Sequence, residues 1–426
     1  MMYLYVKRVF SFSLLVFHFK RVSKFLIVGF SLLTIQFLSA QKLNSLIEIG
    51  LKNNPEIQKI ELQYKITSEK IHEVDAIPNT EVAVGYFISE PETRTGAQRA
   101  KVSVKQMIPW FGSITARENY VSSLADVKYE DLVIAKRKLV LSVSQSYYNL
   151  YAIKATQKVL LANIVLLKNY ETMTLKFVET GKSSVVDVLR LQMRQNELQQ
   201  SKEVLEEQYL AEQTLLNNLL NRDKSILILA PIELMIPTGK EMIVSENLKL
   251  HPELLKYDKL YTSVANSELL NQKESSPMLG FGLDYIAVSE RPNTTFSDNG
   301  KDIIMPMFSV SIPVFNKKYK SKTKQNRLKQ EEIMAQKQAR FNRLETALDK
   351  AITNRTVAEI QHTIQTKNLL QAQKAEEIVL KSYETGMRNF NDVLDIQELQ
   401  LKFQKNRIAS TKKYFIQTTI INYLSN

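Results

Sequence analysis

Two stretches of the chain, Ser113 to Thr180 and Val314 to Thr385, contain neither glycine nor proline, and their apolar residues return every three or four positions. The series Leu124, Leu132, Leu139, Val143, Tyr147 and Leu150 marks one seam, while Lys, Glu, Gln and Ser fill the other faces. That spacing predicts long helices over 113–180 and 316–385 that pack laterally through a narrow stripe. At about 1.5 Å per residue, each would run roughly 100 Å. Both stretches end in the same tripeptide, Glu179-Thr180-Gly181 and Glu384-Thr385-Gly386, and a second helical pattern follows each, over 182–222 and 387–424. Reversal between antiparallel helices needs a residue that tolerates positive φ, which is the role of the glycine.

Elsewhere the period changes to two. Val82, Val84, Tyr86 and Ile88 alternate with Ala83, Gly85 and Phe87, and Ala100, Val102 and Val104 alternate with Lys101, Ser103 and Lys105. This predicts a hairpin over 81–107 with a polar loop between its strands. A second hairpin is predicted over 278–312, with Leu279, Phe281, Leu283 and Tyr285 opposing Gly280, Gly282 and Asp284, and with Ile304, Phe308, Val310 and Ile312 opposing Ser309 and Ser311. Pro306 cannot donate to a ladder, so it belongs at an edge or a strand start. Two such hairpins cannot close a barrel alone, since about eight strands are the usual minimum. If the apolar faces meet lipid, several chains must pool their strands, and three chains would supply twelve.

The chain is internally duplicated. Asp187-Val188-Leu189, Gln192 and Gln195 recur at Asp392-Val393-Leu394, Gln397 and Gln400 at an offset of 205. Asn54-Pro55-Glu56 is echoed by His251-Pro252-Glu253, and Pro109 with Phe111 by Pro313 with Phe315. Four segments follow: 1–40, a first repeat at 41–230, a linker at 231–247 and a second repeat at 248–426. Each repeat reads helix, strand pair, long helix, turn, helix.

Residues 1–40 have the plan of a secretory signal peptide, with Lys20, Arg21 and Lys24 before the apolar run Phe25 to Phe37 and small residues at Ser39-Ala40. The alternative, a membrane anchor, needs about 20 apolar residues in one run. Without this segment the net charge falls from +13 to +8, because its five basic residues have no acidic counterpart. The remaining Lys and Arg are spread along the helices among Glu and Gln, the pattern of a solvated surface, so nucleic acid is not an expected partner. The chain has no cysteine, which excludes disulfides and thiolate sites. His72, His251 and His362 share no ligand spacing, so no metal site is expected, and Met278, Met305 and Met307 are expected to pack or to face lipid. With no nucleophile–base pair and no nucleotide fingerprint, neither an enzyme nor a cofactor is expected.

The strand-to-helix passage Gln106-Met107-Ile108-Pro109-Trp110-Phe111-Gly112, the Asn53-Asn54-Pro55-Glu56 opening and the two Gly-to-Asp-Val-Leu turns resemble the TolC-like outer-membrane efflux channels of Gram-negative bacteria. The resemblance covers nearly all of residues 41–426. It implies a mainly α protein with a small β part: a homotrimer whose long antiparallel helices form a periplasmic α-barrel and whose four strands per chain complete a twelve-stranded transmembrane β-barrel. It further implies an exit duct for small molecules or metal cations, linked through a periplasmic adaptor to an inner-membrane pump. Glu179, Thr180, Gly181, Glu384, Thr385 and Gly386 would form the adaptor-docking turns. Asp392 and Asp395 match the acidic pair facing the pore at its narrow end, up to six carboxylates in a trimer, a cation-sensitive constriction. Asp187, Tyr383 and Arg388 match positions that hold the tip closed, with an Arg388–Asp187 ion pair and Tyr383 as hydroxyl donor. Asp187 and Asp392 also suit the first turn of a helix, where the dipole favours a carboxylate. Only the second repeat carries Arg388 and Asp395; the first has Ser183 and Arg190 there. Two alternatives remain: a channel for type I protein secretion, and a soluble periplasmic adaptor or structural coiled coil.

Overall fold

The computed structural model describes residues 43–237, 239, 245–295, 297–314 and 317–425. Residues 1–40, expected to be a signal peptide, and Phe315 lie outside them. Along the chain come α1 (Leu43–Asn53), α2 (Pro55–Val74), β1 (Glu81–Tyr86), β2 (Glu92–Thr93), β3 (Gly96–Ile108), α3 (Ser113–Glu179) and α4 (Val185–Leu219). A 3-10 turn at Ser245–Leu250 leads into α5 (Pro252–Glu274), β4 (Met278–Val288), β5 (Ile303–Ser311), α6 (Lys317–Glu384) and α7 (Phe390–Ser425). The short β2, which pairs with the start of β3, has no alternating pattern to announce it.

Compact units cut across the sequence repeats. One takes in Ser142–Thr238 and Arg355–Ile416; the other takes in Asn53–Leu141, Gly239–Asn354 and Gln417–Asn426. Repeats record the pattern of the sequence, whereas each folded unit draws helices from both.

In the second unit the strands form one antiparallel sheet in the order β1-β3-β4-β5. Its register places Val84 opposite Val102, Val102 opposite Tyr285, and Tyr285 opposite Ile304; two residues along, Val82, Val104, Leu283 and Pro306 form the next row. Since side chains alternate faces along a strand, these rows lie on one face and build an apolar band across all four strands. The band is uncovered: Val84 is 76% exposed, Ile304 66% and Phe308 63%. The opposite face carries Lys101, Ser103, Asp284, Ser309 and Ser311, and Asp284 is wholly buried against Lys101. Met305 and Met307 lie on this second face and not in the apolar band. An added Cβ at Gly282 would meet the Met307 side chain at 3.3 Å, and one at Gly280 would collide with Met107 and Ser309. Pro306 sits on β5, the last strand in the order and so at an edge of the sheet.

The same unit buries a polar cluster at the start of α5. His251 is its N-cap: Nδ1 accepts the Glu253 N–H at 3.3 Å, and Nε2 lies 3.2 Å from the Tyr423 carbonyl, which fits the neutral tautomer with its proton on Nε2. Glu253 accepts the Tyr423 hydroxyl at 2.6 Å and pairs with Arg340, with Lys138 at 3.9 Å. Burial of Glu253 would raise its pKa, but Tyr423, Arg340 and Lys138 together hold it below the usual carboxylate range. The equivalent cap in the first repeat is Asn54, which accepts from Glu56 and Ile57 at 2.9 and 3.3 Å and does not titrate.

One stretch of α3 is apolar enough in composition to cross a membrane. Leu150, Leu160 and Leu167 of this helix are wholly buried against protein, and Tyr151 and Ala155 pack on Ile408. These residues serve a helix–helix seam, while Leu161 and Val165 of the same helix stay about half exposed.

Burial pushes the His251 pKa below its ordinary 6.5, and the charges of Arg137 and Arg340 push the same way against Glu253 and the Tyr423 carbonyl. The unfolded chain takes up the proton first, so this contribution is intact above about pH 6.5 and is lost as pH falls below it. Thermal unfolding midpoints should drop between pH 7.5 and 5.5, and His251→Asn, which keeps an acceptor without titrating, should flatten that drop. His251→Ala should cost about 1 kcal/mol at pH 7.5. Equal pH dependence in wild type and His251→Asn would remove the histidine from the acid response.

Candidate functional site

Both helix reversals fall in the first unit and have the same backbone construction. At the end of α3 the Gly181 N–H bonds the Val178 carbonyl at 3.0 Å and the Lys182 N–H bonds that of Phe177 at 2.7 Å. At the end of α6 Gly386 bonds Tyr383 and Met387 bonds Ser382, both at 2.9 Å. This is the Schellman pattern, with the glycines at φ +73° and +77°. A Cβ at either would meet nothing, so backbone conformation and not crowding demands glycine there. Thr180 and Thr385 each return their hydroxyl to carbonyls of the preceding turn. Glu179, Thr180, Gly181, Glu384, Thr385 and Gly386 are all exposed.

Past the turns the repeats differ. Ser184 caps α4 and Asp187 completes a capping box, its carboxylate accepting the Ser184 N–H at 3.3 Å and the Ser183 hydroxyl at 3.0 Å. Arg190 lies 4.0 Å from the other Asp187 oxygen and also reaches Asn391. The expected Arg388–Asp187 ion pair is not formed within the chain. Arg388 instead donates to Asp392, four residues on, at 3.2 Å. The physical reason is proximity: Asp187 is engaged by its own helix start, and Asp392 is the acid one turn from Arg388. Tyr383 does act as a hydroxyl donor, to Ser183 at 3.1 Å, so Tyr383, Ser183 and Asp187 form one hydrogen-bonded line from the α6 end to the α4 start. Asp392 is partly buried, and Asp395, one turn further, is exposed with no ion-pair partner among the described residues.

The turns rest on aromatic packing that the sequence pattern did not single out. Tyr383 stacks edge-on against Phe177 and Phe390 with centroids 5.4 and 5.1 Å apart, and Phe390 meets Tyr170 at 6.2 Å. Leu167, Leu191 and Val393 are fully buried around them. A polar ladder continues along the helices. Gln192 and Gln195 both donate to Glu171, holding its carboxyl below the usual range. Exactly one repeat offset on, Gln400 donates to Glu376 at 2.6 Å, joined there by the Tyr170 hydroxyl at 2.6 Å, while Gln397 turns to Asn163 at 2.6 Å. Burial and the Glu376 acceptor drive the Tyr170 pKa far above its ordinary value. The paired glutamines were visible as repeat markers; the acceptors Glu171 and Glu376 stand at the same offset and were the available signal.

No protein-family model and no curated protein matches the chain. Among solved structures, CusC, known from crystal structures on folding and transmembrane channel formation, aligns over 91% of this chain and 92% of its own, at 14% identity and a TM-score of 0.74. VceC, an outer membrane protein of Vibrio cholerae, aligns over 90% and 96% at 15% identity and a TM-score of 0.71. The outer membrane channel CmeC of Campylobacter jejuni aligns over 91% and 86% at 13% identity and a TM-score of 0.72. The chain has the fold of an outer-membrane channel protomer. Long helices beside a small antiparallel sheet, the fold class implied by the resemblance, are what these channel proteins share with it.

Gly386→Ala forces a side chain into positive φ and should cost the turn about 1 kcal/mol or more. Amide exchange over residues 383–390 should accelerate about fivefold in that variant and less in Gly386→Asn. Unchanged exchange in Gly386→Ala would show that the reversal does not depend on glycine.

Proposed function

We propose that the chain is one protomer of a trimeric outer-membrane exit duct, passing small molecules or metal cations outward from a periplasmic adaptor and an inner-membrane pump. The observation that carries this reading is the exposed apolar band across a four-stranded sheet with two free edges. In water such a surface and such edges are a liability. Lipid against the band and neighbouring strands against the edges remove both, and a closed antiparallel barrel is one of the two backbone solutions a bilayer accepts. A soluble adaptor or filament would leave the band without a covering. The fold shared with outer-membrane channels supports the same assignment.

The helical part then lies in the periplasm, with the two Schellman turns as its docking points. Around them Val185, Val186, Leu189 and Met193 on α4 and Met387 beyond α6 offer exposed apolar surface for helices of an adaptor or of neighbouring protomers. Asp392 and Asp395 form the gate ring, where crowded carboxylates attract multivalent cations. With Asp392 paired to Arg388, Asp395 supplies the free charge. Tyr383 and Arg388 hold the closed state, the first through Ser183 and the second by fixing the start of α7.

In planar bilayers the protein should give discrete trimer-sized conductance steps. Replacing both Asp392 and Asp395 by Ala should weaken block by trivalent cations at least about tenfold, and Tyr383→Phe or Arg388→Ala should raise the open fraction. Unchanged currents would remove these four residues from the gate and leave the duct standing. A water-soluble monomer with no affinity for bilayers would overturn the duct itself.

A further inference from the structure

The basic residues are not spread as evenly as their overall alternation with acids suggests. Lys317, Lys318, Lys320, Lys322 and Lys324, followed by Arg327 and Lys329, occupy the first turns of α6 without a single acid among them. Arg327 and Lys329 pair with Glu331 and Glu332 at 3.2 and 2.8 Å. The five lysines before them have no ion-pair partner among the described residues, and all five are exposed. The corresponding start of α3 has only Arg117, which faces Glu274 at 3.8 Å.

This placement opposes the helix it belongs to. Positive charge at a helix N-terminus works against the dipole, and like charges at i,i+4, as in Lys318 with Lys322 and Lys320 with Lys324, repel. The orientation of α6 is nevertheless set, because Asn271 donates to the Tyr319 carbonyl and the Thr323 hydroxyl at 3.1 and 3.2 Å, and Asn326 and Thr323 both donate to Glu268 at 2.8 Å. Tyr319, Thr323 and Asn326 thus take the face against α5, and the lysines fan over the remaining circumference.

A second, independent observation locates the run. β5 ends at Ser311, so Lys317 is within about 20 Å of the end of the apolar band by chain reach alone. That end of the sheet, where β3 also stops, is flanked by Trp110, by Phe111 at 77% exposure and by Val314 at 75%, the apolar and aromatic rim expected where a barrel meets headgroups. Cations just outside such a rim face the lipid phosphates.

We propose that Lys317 to Lys324 bind the anionic phospholipid headgroups of the leaflet on the helical side of the barrel. This rests on the membrane reading above and goes beyond it by naming the lipid chemistry. The full-length protein and a variant with these five lysines changed to Gln are offered vesicles of phosphatidylcholine alone and vesicles mixed with phosphatidylglycerol. Wild type should prefer the anionic vesicles by about tenfold or more, the variant should lose most of that preference, and high salt should erase it. Inorganic phosphate at matched ionic strength should leave the preference intact; if it abolishes it, the lysines take free phosphate and the lipid assignment falls. Loss of the trimer in the variant would assign them to a neighbouring copy and also overturn it. Entry of wild type into both vesicle types without preference sinks this inference alone, whereas failure to enter either sinks the membrane reading beneath it.

Discussion

A β-sheet satisfies its inner strands by mutual pairing but always leaves two edges, and here it also leaves one face of Val, Ile, Phe, Tyr and Leu without cover. Among the described residues no element lies over that face. Each exposed apolar residue forgoes about 1.5–3 kcal/mol of burial, and the unpaired edge groups invite other strands. The long helices repeat the constraint in another geometry, since each buries one seam and leaves further apolar residues exposed, among them Leu161, Val165, Ile360 and Ile378. A chain built this way gains stability by placing its surfaces against lipid and against further copies. The proposed duct is the consequence of that arrangement, with the hole formed by what the copies enclose.

Duplication supplied the scaffold and divergence supplied the chemistry. Gly181 and Gly386 make the same turn with the same carbonyl partners, because backbone geometry leaves little choice there. Side chains at matching positions do different work. Asn54 and His251 both cap a helix that opens on the same Pro-Glu pair, yet only the histidine is buried among charges. Ser183 relays between Tyr383 and Asp187, while its counterpart Arg388 pairs with Asp392. Glu171 is held by two glutamines, whereas Glu376 shares one with Tyr170 and releases Gln397 to Asn163. The asymmetry places the acidic pair and its arginine in one repeat only.

The polybasic start of α6 shows where counting charges along a sequence misleads. Taken over residues 41–426, Lys and Arg alternate with Glu and describe a solvated surface. Within the first turns of α6 they stand alone, on a helix whose other face is committed to α5. An average over the chain cannot show that, because electrostatic consequence depends on which charges share a surface within a Debye length.

Helix lengths, turn positions, strand alternation and the duplication were legible in the sequence, because each follows from local chemistry: the absence of breakers, glycine at positive φ and side chains that alternate in a strand. The predicted long helices at 113–180 and 316–385 accordingly appear as Ser113–Glu179 and Lys317–Glu384. Partners were not legible. Tyr383 and Ser183 are 200 residues apart, and Tyr423 and Glu253 are 170 apart, so their contacts depend on which helix seams meet. The same tertiary choice set Arg388 on Asp392 and not on Asp187, and it assigned Met305 and Met307 to the polar face through a register fixed by pairing with β4. Period and backbone conformation are properties of a few neighbouring residues, whereas the identity of a contact is a property of the whole packed chain.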